Sequence, residues 1–493
     1  MSQLTPQNIK QQRDELWRAD LRNKFKSKDR TDILRVVMPS QDPDVRNKNH
    51  VEVNIGLSND MALAEARRCL DCVNPTCILG CPVNINIPKF IKHIEAGQFN
   101  KAIEVIKDAN AFPAICGRVC PQEIQCEANC FYTLKLKKPA VAIGHLERFV
   151  ADCDMCSANS YVTIVEKKIN IKVGVIGAGP AGLAAAIDLA KYGYQVTIFE
   201  ALHNFGGVLK YGIPEFRLPN SIIDKEIDAL KNLGVEFVNN FIVGKTATID
   251  DLKEEGYKAF FIGSGAGLPK FMNIPGENYI GIFSSNEYLT RVNLMNAHKE
   301  GYDTPVLYGK NVAVIGGGNT AMDSVRTAKR LGAERAIIIY RRSFDEMPAR
   351  LEEIHHAQEE GVEFMNLRTP IKYLADDKGR VNKVILRKIE LGEPDSSGRR
   401  RPVEVTGSEY ELDIDMAIVS IGVSPNPIVP KTVANLETNQ RGTIVVNDQT
   451  METTVPGLFA GGDIVRGGAT VILAMGDGRK AAAGIHEYLK TSS

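Results

Sequence analysis

Ile171-Lys-Val-Gly-Val-Ile-Gly-Ala-Gly-Pro-Ala-Gly-Leu183 is the stretch that decides the fold. An apolar β run ends at Gly177, a tight turn carries Gly179 and Gly182, and a helical pattern opens with Pro180 and Ala181. In a strand–turn–helix of this kind the first glycine permits the turn, the second lets the backbone approach a pyrophosphate, and the third lets helix pack on strand. The phosphates would rest on the helix N-terminus, where unpaired N–H groups favour anions. About 20 residues on, after the apolar run Gln195-Val-Thr-Ile-Phe199, stands Glu200, placed to accept from a ribose 2′-hydroxyl.

The same grammar recurs at Asn311-Val-Ala-Val-Ile-Gly-Gly-Gly-Asn-Thr-Ala-Met-Asp323, with Gly316, Gly318 and Ala321 at the three small positions and Asn319 and Thr320 opening the helix. Its second β run, Ala336-Ile-Ile-Ile-Tyr340, is followed by Arg341-Arg342 where the first unit has Glu200. A carboxylate there repels a 2′-phosphate, and guanidinium groups bind it through charge-assisted hydrogen bonds. The first unit therefore suits FAD and the second suits NADPH over NADH.

Outside these two units the totals set bounds. A chain of 493 residues is too long for one core, and length alone suggests about three domains. Lys plus Arg and Asp plus Glu both number 60, so no net field attracts nucleic acid or an anionic membrane. No apolar signal segment or membrane-spanning run is evident, and a cytoplasmic protein is expected. Arg13, Arg18, Arg22, Lys24, Lys26, Lys28 and Arg30 crowd a polar, partly helical arm; a solvated helix face is the expectation for them, over a dock for an acidic partner.

All ten cysteines lie between Cys69 and Cys156, a clustering that reads as metal binding in a reducing compartment. One group is Cys69-x2-Cys72-x4-Cys77-x3-Cys81-Pro82; the other is Cys116-x3-Cys120-Pro121-x4-Cys126-x3-Cys130, with a helical pattern over roughly Ile87 to Ala109 between them. A terminal Cys-Pro marks cubane cluster loops, and the scarcity of histidine argues against zinc. The fourth cysteine of a ferredoxin run often serves the other cluster. Seven thiols then arrange as Cys69, Cys72, Cys77 with Cys130, and Cys81 with Cys120 and Cys126, one position staying open. Cys153 and Cys156 cannot close a four-ligand site by themselves and receive no role.

These cysteine runs, Gly117-Arg-Val-Cys-Pro121, Ile143-Gly-His-Leu-Glu-Arg-Phe149 and the glycine-rich loops together resemble the small (β) subunit family of NADPH-dependent glutamate synthase. The module is similar also to the large subunit of NADH-dependent ferredoxin:NADP oxidoreductase, to sulfide dehydrogenase, and to the N-terminal half of dihydropyrimidine dehydrogenase. The resemblance runs from about residue 35 to the end. It implies two [4Fe–4S] clusters with crossed ligands and Glu147 as the non-thiolate ligand of the second, although the residues alone leave Cys116 open for that position. It implies further that Gly207, Val208 and Arg217 line FAD, that Gly462 and Asp463 meet it with Asp463 on the ribityl chain, and that a helix starting near Thr470 points at the flavin. Gly263-Ser-Gly-Ala-Gly-Leu-Pro269 is similar to a flavoprotein return strand, and Asp415 to Gly422 is expected to carry the chain back to the FAD domain.

The expected architecture is α/β: a helical iron–sulfur domain over 1–160, an FAD domain over 161–285 and 423–493, and an NADPH domain inserted over 286–422, decorated by a β-meander around 376–408. The resemblance implies electron flow from NADPH through FAD and two clusters, or the reverse, with no acid–base catalyst. A hetero-oligomer is expected, with a larger glutamate synthase subunit or a ferredoxin-reductase-like small subunit as partner. The latter belongs to an electron-bifurcating transhydrogenase or sulfide dehydrogenase, towards which Val37 to Arg46 leans. With Met1-Ser2 at its start, cysteines only near the clusters and no room for a further large barrel, the chain is not expected to make glutamate from glutamine unaided. A non-enzymatic scaffold is disfavoured by the intact glycines of both fingerprints.

Overall fold

The computed structural model describes residues 4–157, 165, 168–395 and 398–491. Three short helices, α1 (Pro6–Arg13), α2 (Leu16–Lys24) and α3 (Ser27–Asp32), form the arm. The expected solvated face is not what forms. Arg18 and Arg30 are almost wholly buried. Arg18 pairs with buried Asp71, Arg22 reaches the same carboxylate at 2.5 Å, and the Arg13 Nε donates to the Asp71 carbonyl at 2.8 Å. Arg30 grips Glu95 at 2.9 and 3.0 Å. Buried guanidiniums persist only where such partners exist, and here the partners lie 49 to 65 residues away.

Helices α4 (Asn59–Arg68), α5 (Ile87–Glu95), α6 (Phe99–Ala109), α7 (Pro113–Val119) and α8 (Ile143–Cys156) enclose the two cysteine runs. The single helical pattern expected over 87–109 is two helices, because Gly97 takes φ +71° and turns the chain between them. Helices α7 and α8 touch at Gly117, where a Cβ would lie 2.5 Å from the Arg148 nitrogen.

The first dinucleotide unit is a five-stranded parallel sheet. Strand β1 (Lys172–Ile176) lies between β2 (Gln195–Phe199) and β4 (Tyr257–Ile262); β3 (Glu236–Val238) flanks β2. Strand β5 (Ile282–Ser284) joins instead a second parallel sheet, with β6 (Asn311–Ile315), β7 (Arg335–Tyr340), β8 (Glu363–Asn366) and, between β5 and β6, a strand from further along the chain. Helix α9 (Pro180–Lys191) follows β1, α10 (Asn319–Arg330) follows β6, and α11 (Leu351–Glu359) follows β7. The strands read as continuous apolar runs because both faces are covered: the neighbours Val175 and Ile176 in β1, and Ala313 and Val314 in β6, point to opposite faces and all are buried.

Strands β9 (Arg368–Ala375), β10 (Val381–Pro394), β11 (Arg400–Glu404) and β12 (Tyr410–Asp413) form the antiparallel meander. Next comes β13 (Met416–Val419). It is not a return to the first sheet, as expected of Asp415 to Gly422, but an interior strand of the second, paired with β5 and β6. The crossing back is made where Val423–Ser424 pairs with Leu268–Pro269. Strand β14 (Leu458–Ala460) then completes the first sheet beside β4, and α12 (Val471–Thr491) packs along α9. That packing is close because Gly478 has no side chain: a Cβ there would lie 2.1 Å from the Ala181 carbonyl oxygen. Among the described residues no helix is long and apolar enough to cross a membrane.

Candidate dinucleotide and iron–sulfur sites

The first fingerprint takes the shape its glycines dictate. Gly177 has φ +100° and abuts the Gly263 carbonyl; a Cβ on Gly182 would lie 1.9 Å from the Gly177 oxygen; beside Gly179 there is open space. That space belongs to a cavity of about 1140 Å³, larger than the roughly 300–1,000 Å³ of ordinary small-molecule clefts and suited to an extended dinucleotide. Pro180, Ala181, Glu200, Gly207, Val208, Arg217, Gly462, Asp463 and Thr470 line it too. Glu200 turns one oxygen to the Ala178 N–H at 2.7 Å and the other to Leu202 at 2.9 Å, so its carboxylate is fixed at the end of β2. Burial raises the Asp463 carboxyl to about 6, against the Ala469 N–H, which lowers it. Thr470 caps α12, its hydroxyl accepting from Leu473 N–H, so the positive end of that helix opens on the cavity.

Arg217 is placed differently from the others. Its guanidinium meets both oxygens of Asp323 on α10 at 2.7 Å and Glu353 on α11 at 3.1 Å. It edges the cavity while bridging the two dinucleotide units, and a phosphate contact would compete with carboxylates already in place.

At the second fingerprint Gly316 (φ +145°) lies against the Ser420 carbonyl, Gly318 faces open space, and Ala321 is buried. Asn319 and Thr320 line the far wall of the large cavity, so both fingerprints open on one space. Asn319 also accepts from the Arg350 N–H at 2.9 Å. The two arginines part ways. Arg341 is exposed; Arg342 is buried and bound to Asp395 at 2.7 Å and the Arg400 carbonyl at 2.8 Å.

The cysteines form two groups. Cys69, Cys72, Cys77 and Cys130 surround one apolar hollow of about 30 Å³, walled by Leu70, Ile91, Phe131 and Tyr132. This is the crossed set, three ligands from the first run and one from the second. Among the described residues no three His, Cys, Asp or Glu side chains converge closely enough for a single metal ion. A zinc cage would bring its sulfurs to about 2.3 Å from one point; thiols spaced around a hollow suit a polynuclear centre. Burial pushes the Cys72 thiol up to about 12, and binding to iron would supply the charge compensation that a buried thiolate needs.

Cys81, Cys120, Cys126 and Glu147 make the second group, close enough for every one of these thiols to feel the carboxylate and for Cys126 to feel both other thiols. Glu147 is buried, its carboxyl raised to about 7 by desolvation, with Asn110 Nδ2 at 2.7 Å as the hydrogen-bond donor that opposes the shift. Among the described residues no cation balances it. Cys116 lies beside the same group, next to the Cys120 thiol, and its Sγ donates to Asn110 Oδ1 and meets Met475 Sδ, both at 3.6 Å. Sequence reasoning missed Asn110 and Met475, and missed that Val119 and Pro121, on either side of Cys120, wall the large cavity; nothing local in the sequence signals these contacts. Cys153 is half-buried and Cys156 exposed at the end of α8.

Residues 171–478 match the family described as pyridine nucleotide-disulphide oxidoreductase, and residues 46–159 match dihydropyrimidine dehydrogenase domain II, 4Fe-4S cluster. Over 463 residues the chain is 37% identical to the glutamate synthase [NADPH] small chain of Azospirillum brasilense, covering 92% of this chain and 95% of that one. The chain belongs to the glutamate synthase small-chain family of pyridine nucleotide oxidoreductases. The oxidoreductase is also 39% identical over 444 residues to the NADP(+)-dependent formate dehydrogenase subunit beta of Moorella thermoacetica, 85% of this chain and 60% of that protein. In fold it is similar to Mycobacterium tuberculosis FprA in complex with NADPH, with a TM-score of 0.56 and 19% identity over 66% of this chain and 86% of that one. Its family and its two matched domains make the oxidoreductase an NADPH-linked enzyme with FAD, NADPH and [4Fe–4S] as its cofactors.

Proposed function

We propose that the protein takes electrons from NADPH in the cytoplasm and passes them through FAD and two [4Fe–4S] clusters to a larger partner subunit that makes glutamate, as the small chain of a glutamate synthase. The observation that supports this best is continuity. One cavity touches the FAD-type fingerprint, the second fingerprint through Asn319 and Thr320, and the iron–sulfur domain through Val119 and Pro121 beside Cys120.

A bound flavin accepts an electron pair as hydride and gives it up singly, which is what iron–sulfur centres can take. The chain's residues divide the remaining work. The α9 N-terminus and the bare backbone at Gly179 receive the pyrophosphate, and Glu200 the ribose hydroxyls. Asp463 and the Thr470-capped end of α12 set hydrogen bonding and dipole beside the flavin. Cys81, Cys120, Cys126 and Glu147 hold the centre nearer the cavity; Cys69, Cys72, Cys77 and Cys130 hold the outer one. In this reading Glu147 is the non-thiolate ligand, since its buried carboxylate stands beside all three thiols and has no counter-charge among the described residues. The three bodies are the iron–sulfur part over 1–160, the FAD part from 161 to the residues before β5 together with 423–493, and the NADPH part from β5 to 422, since β5 pairs in the second sheet and moves the expected boundary at 285 forward. The kinship with a formate dehydrogenase β subunit supports a second reading, in which the same path serves another partner.

Anaerobic titration with NADPH, followed by absorbance and EPR, tests the path. Flavin bleaching and two reduced-cluster signals are expected from protein with about eight irons per chain. Glutamate should form from glutamine and 2-oxoglutarate only when a glutamate synthase large subunit is added. A colourless, iron-free polypeptide would overturn the electron path. Glutamate formed by the chain alone, or a large subunit left without electrons, would overturn the assignment of partner.

A further inference from the structure

The basic run of the N-terminal arm ends at the outer cysteine group. Arg18 and Arg22 share one buried carboxylate, that of Asp71, which stands between Leu70 and Cys72 on the wall of the hollow. Arg13 pairs with exposed Asp14 at 2.9 Å, which Arg22 reaches only at 3.8 Å. On α5 Lys92 is fully buried, and its Nζ donates to the Cys69 carbonyl at 2.6 Å and to Glu95 at 2.5 Å. Arg30 meets the same Glu95 and sends Nη1 to the Cys69 carbonyl at 3.4 Å. Two buried acids are thus each shared by two cations, and beside Cys69 and Cys72 two positive charges are left over. Arg68 and Glu65, a buried pair close by, cancel.

The inner group has the opposite balance. Glu147 has no counter-charge among the described residues. Arg350, whose charge reaches Cys120, is divided between Glu352 at 2.9 Å and Glu123 at 3.6 Å, and Arg35 and Glu127 cancel at 2.8 Å. His145, 3.8 Å from Glu352, adds no charge near neutrality, because burial holds its imidazole down at about 4. The thiols register the contrast. Burial raises the Cys69 thiol and Lys92 pulls against it, whereas burial raises the Cys126 thiol and Glu127 and Glu147 push the same way.

We infer that Arg18, Arg22, Arg30 and Lys92 tune the outer iron–sulfur centre, holding its reduction potential above that of the inner one, so that the outer site is where an electron waits for the partner. This rests on the proposed assignment of the cysteines to two [4Fe–4S] clusters. Reduction adds one electron beside thiolates that are already anionic; a fixed positive charge in a buried setting favours that change, and an unbalanced carboxylate opposes it. The arm is then part of the redox site.

The test is an anaerobic dithionite titration of the flavin- and cluster-loaded protein, followed by low-temperature EPR, which gives a midpoint for each centre. K92Q keeps a donor for the Cys69 carbonyl and leaves Arg30 balanced on Glu95. R22Q leaves Arg18 balanced on Asp71 and, because the Arg22 side chain is partly exposed, serves should K92Q lose iron. Each should lower the higher of the two midpoints by about 59 mV, a tenfold change in the oxidised-to-reduced ratio of a one-electron couple, and move the lower one much less. D71N removes the acid instead, at a position whose φ of +52° asparagine accepts, and should shift the same midpoint upward. A merely structural defect would not reverse its sign with the charge removed. If the lower midpoint responds instead, the order of the centres is wrong and the inference falls. It falls also if no variant moves either midpoint while both signals persist, and the cluster reading then stands. A parent protein without two cluster signals overturns that reading and this inference with it.

Discussion

A methyl group added at Gly182 would lie 1.9 Å from the Gly177 carbonyl oxygen, whereas one added at Gly179 meets no atom within 4 Å. The two glycines therefore serve different ends, one the packing of helix on strand and the other the approach of a phosphate. Gly179 has φ −80°, ψ −177°, extended backbone that alanine adopts without strain. G179A is expected to melt like the parent when both are stripped of flavin, yet to purify with little flavin. G182A should lose flavin and melt lower, by the 1–3 kcal/mol or so typical of overpacking. Flavin absorbance and circular dichroism of the stripped proteins check this, and a G179A that retains full flavin would contradict it. Single residues of this kind were legible in the sequence because strand, turn and helix are contiguous. Arg217 and Arg342 were less so. Their carboxylate partners Asp323 and Asp395 stand 106 and 53 residues away, and no local spacing announces that a guanidinium is already taken.

At the scale of elements, the helix Asn220–Asn232 lies against the iron–sulfur domain with Glu226 buried on it. Desolvation raises that carboxyl to about 7; Lys107 opposes the shift and Asp154 adds to it. The sign follows from linkage. An acid whose folded pKa exceeds its unfolded value of 4.5 stays neutral in the native state while the unfolded chain ionises, so stability falls as pH rises from about 4.5 to about 7 and is level above. The shift corresponds to about 3 kcal/mol. E226Q should remove this slope and be more stable than the parent at pH 8, with little difference at pH 4.5, as read by urea denaturation at the two pH values. Equal pH slopes in parent and variant would refute it. Elements themselves were read well where periodicity is strong, as in the strands of both sheets, and poorly where a charge run hides tertiary partners. Arg18 and Arg30 look solvated in sequence and are buried because Asp71 and Glu95 wait for them across the fold.

For the whole molecule, the consequence of these buried pairs is that the second dinucleotide unit is locked to the other two. Glu360, at the end of α11, accepts from Arg46 of the N-terminal arm at 3.0 Å, from Arg326 at 2.8 and 3.0 Å, and from Arg330 at 2.7 and 3.1 Å. Phe216, from the loop next to the first fingerprint's cavity, lies 3.8 Å from the Arg330 guanidinium. Glu353 joins Arg217 to Arg326, which hold its carboxyl down at about 2 although burial alone would raise it. The proposed electron path through one shared cavity would need this registry, because a unit free to swing would carry Asn319 and Thr320 away from the wall they form. The clamp predicts that heat or denaturant unfolds the three units together. In E360Q three buried guanidiniums lose their shared counter-charge, a change that costs about 3–5 kcal/mol when one partner of a buried pair is removed. Calorimetry of the variant should show a lower midpoint and a separate early transition for the undocked unit, with NADPH oxidation slowed more than NADPH binding. A single transition at the parent midpoint would mean that the units are held by apolar packing and that the carboxylate is incidental to their alignment.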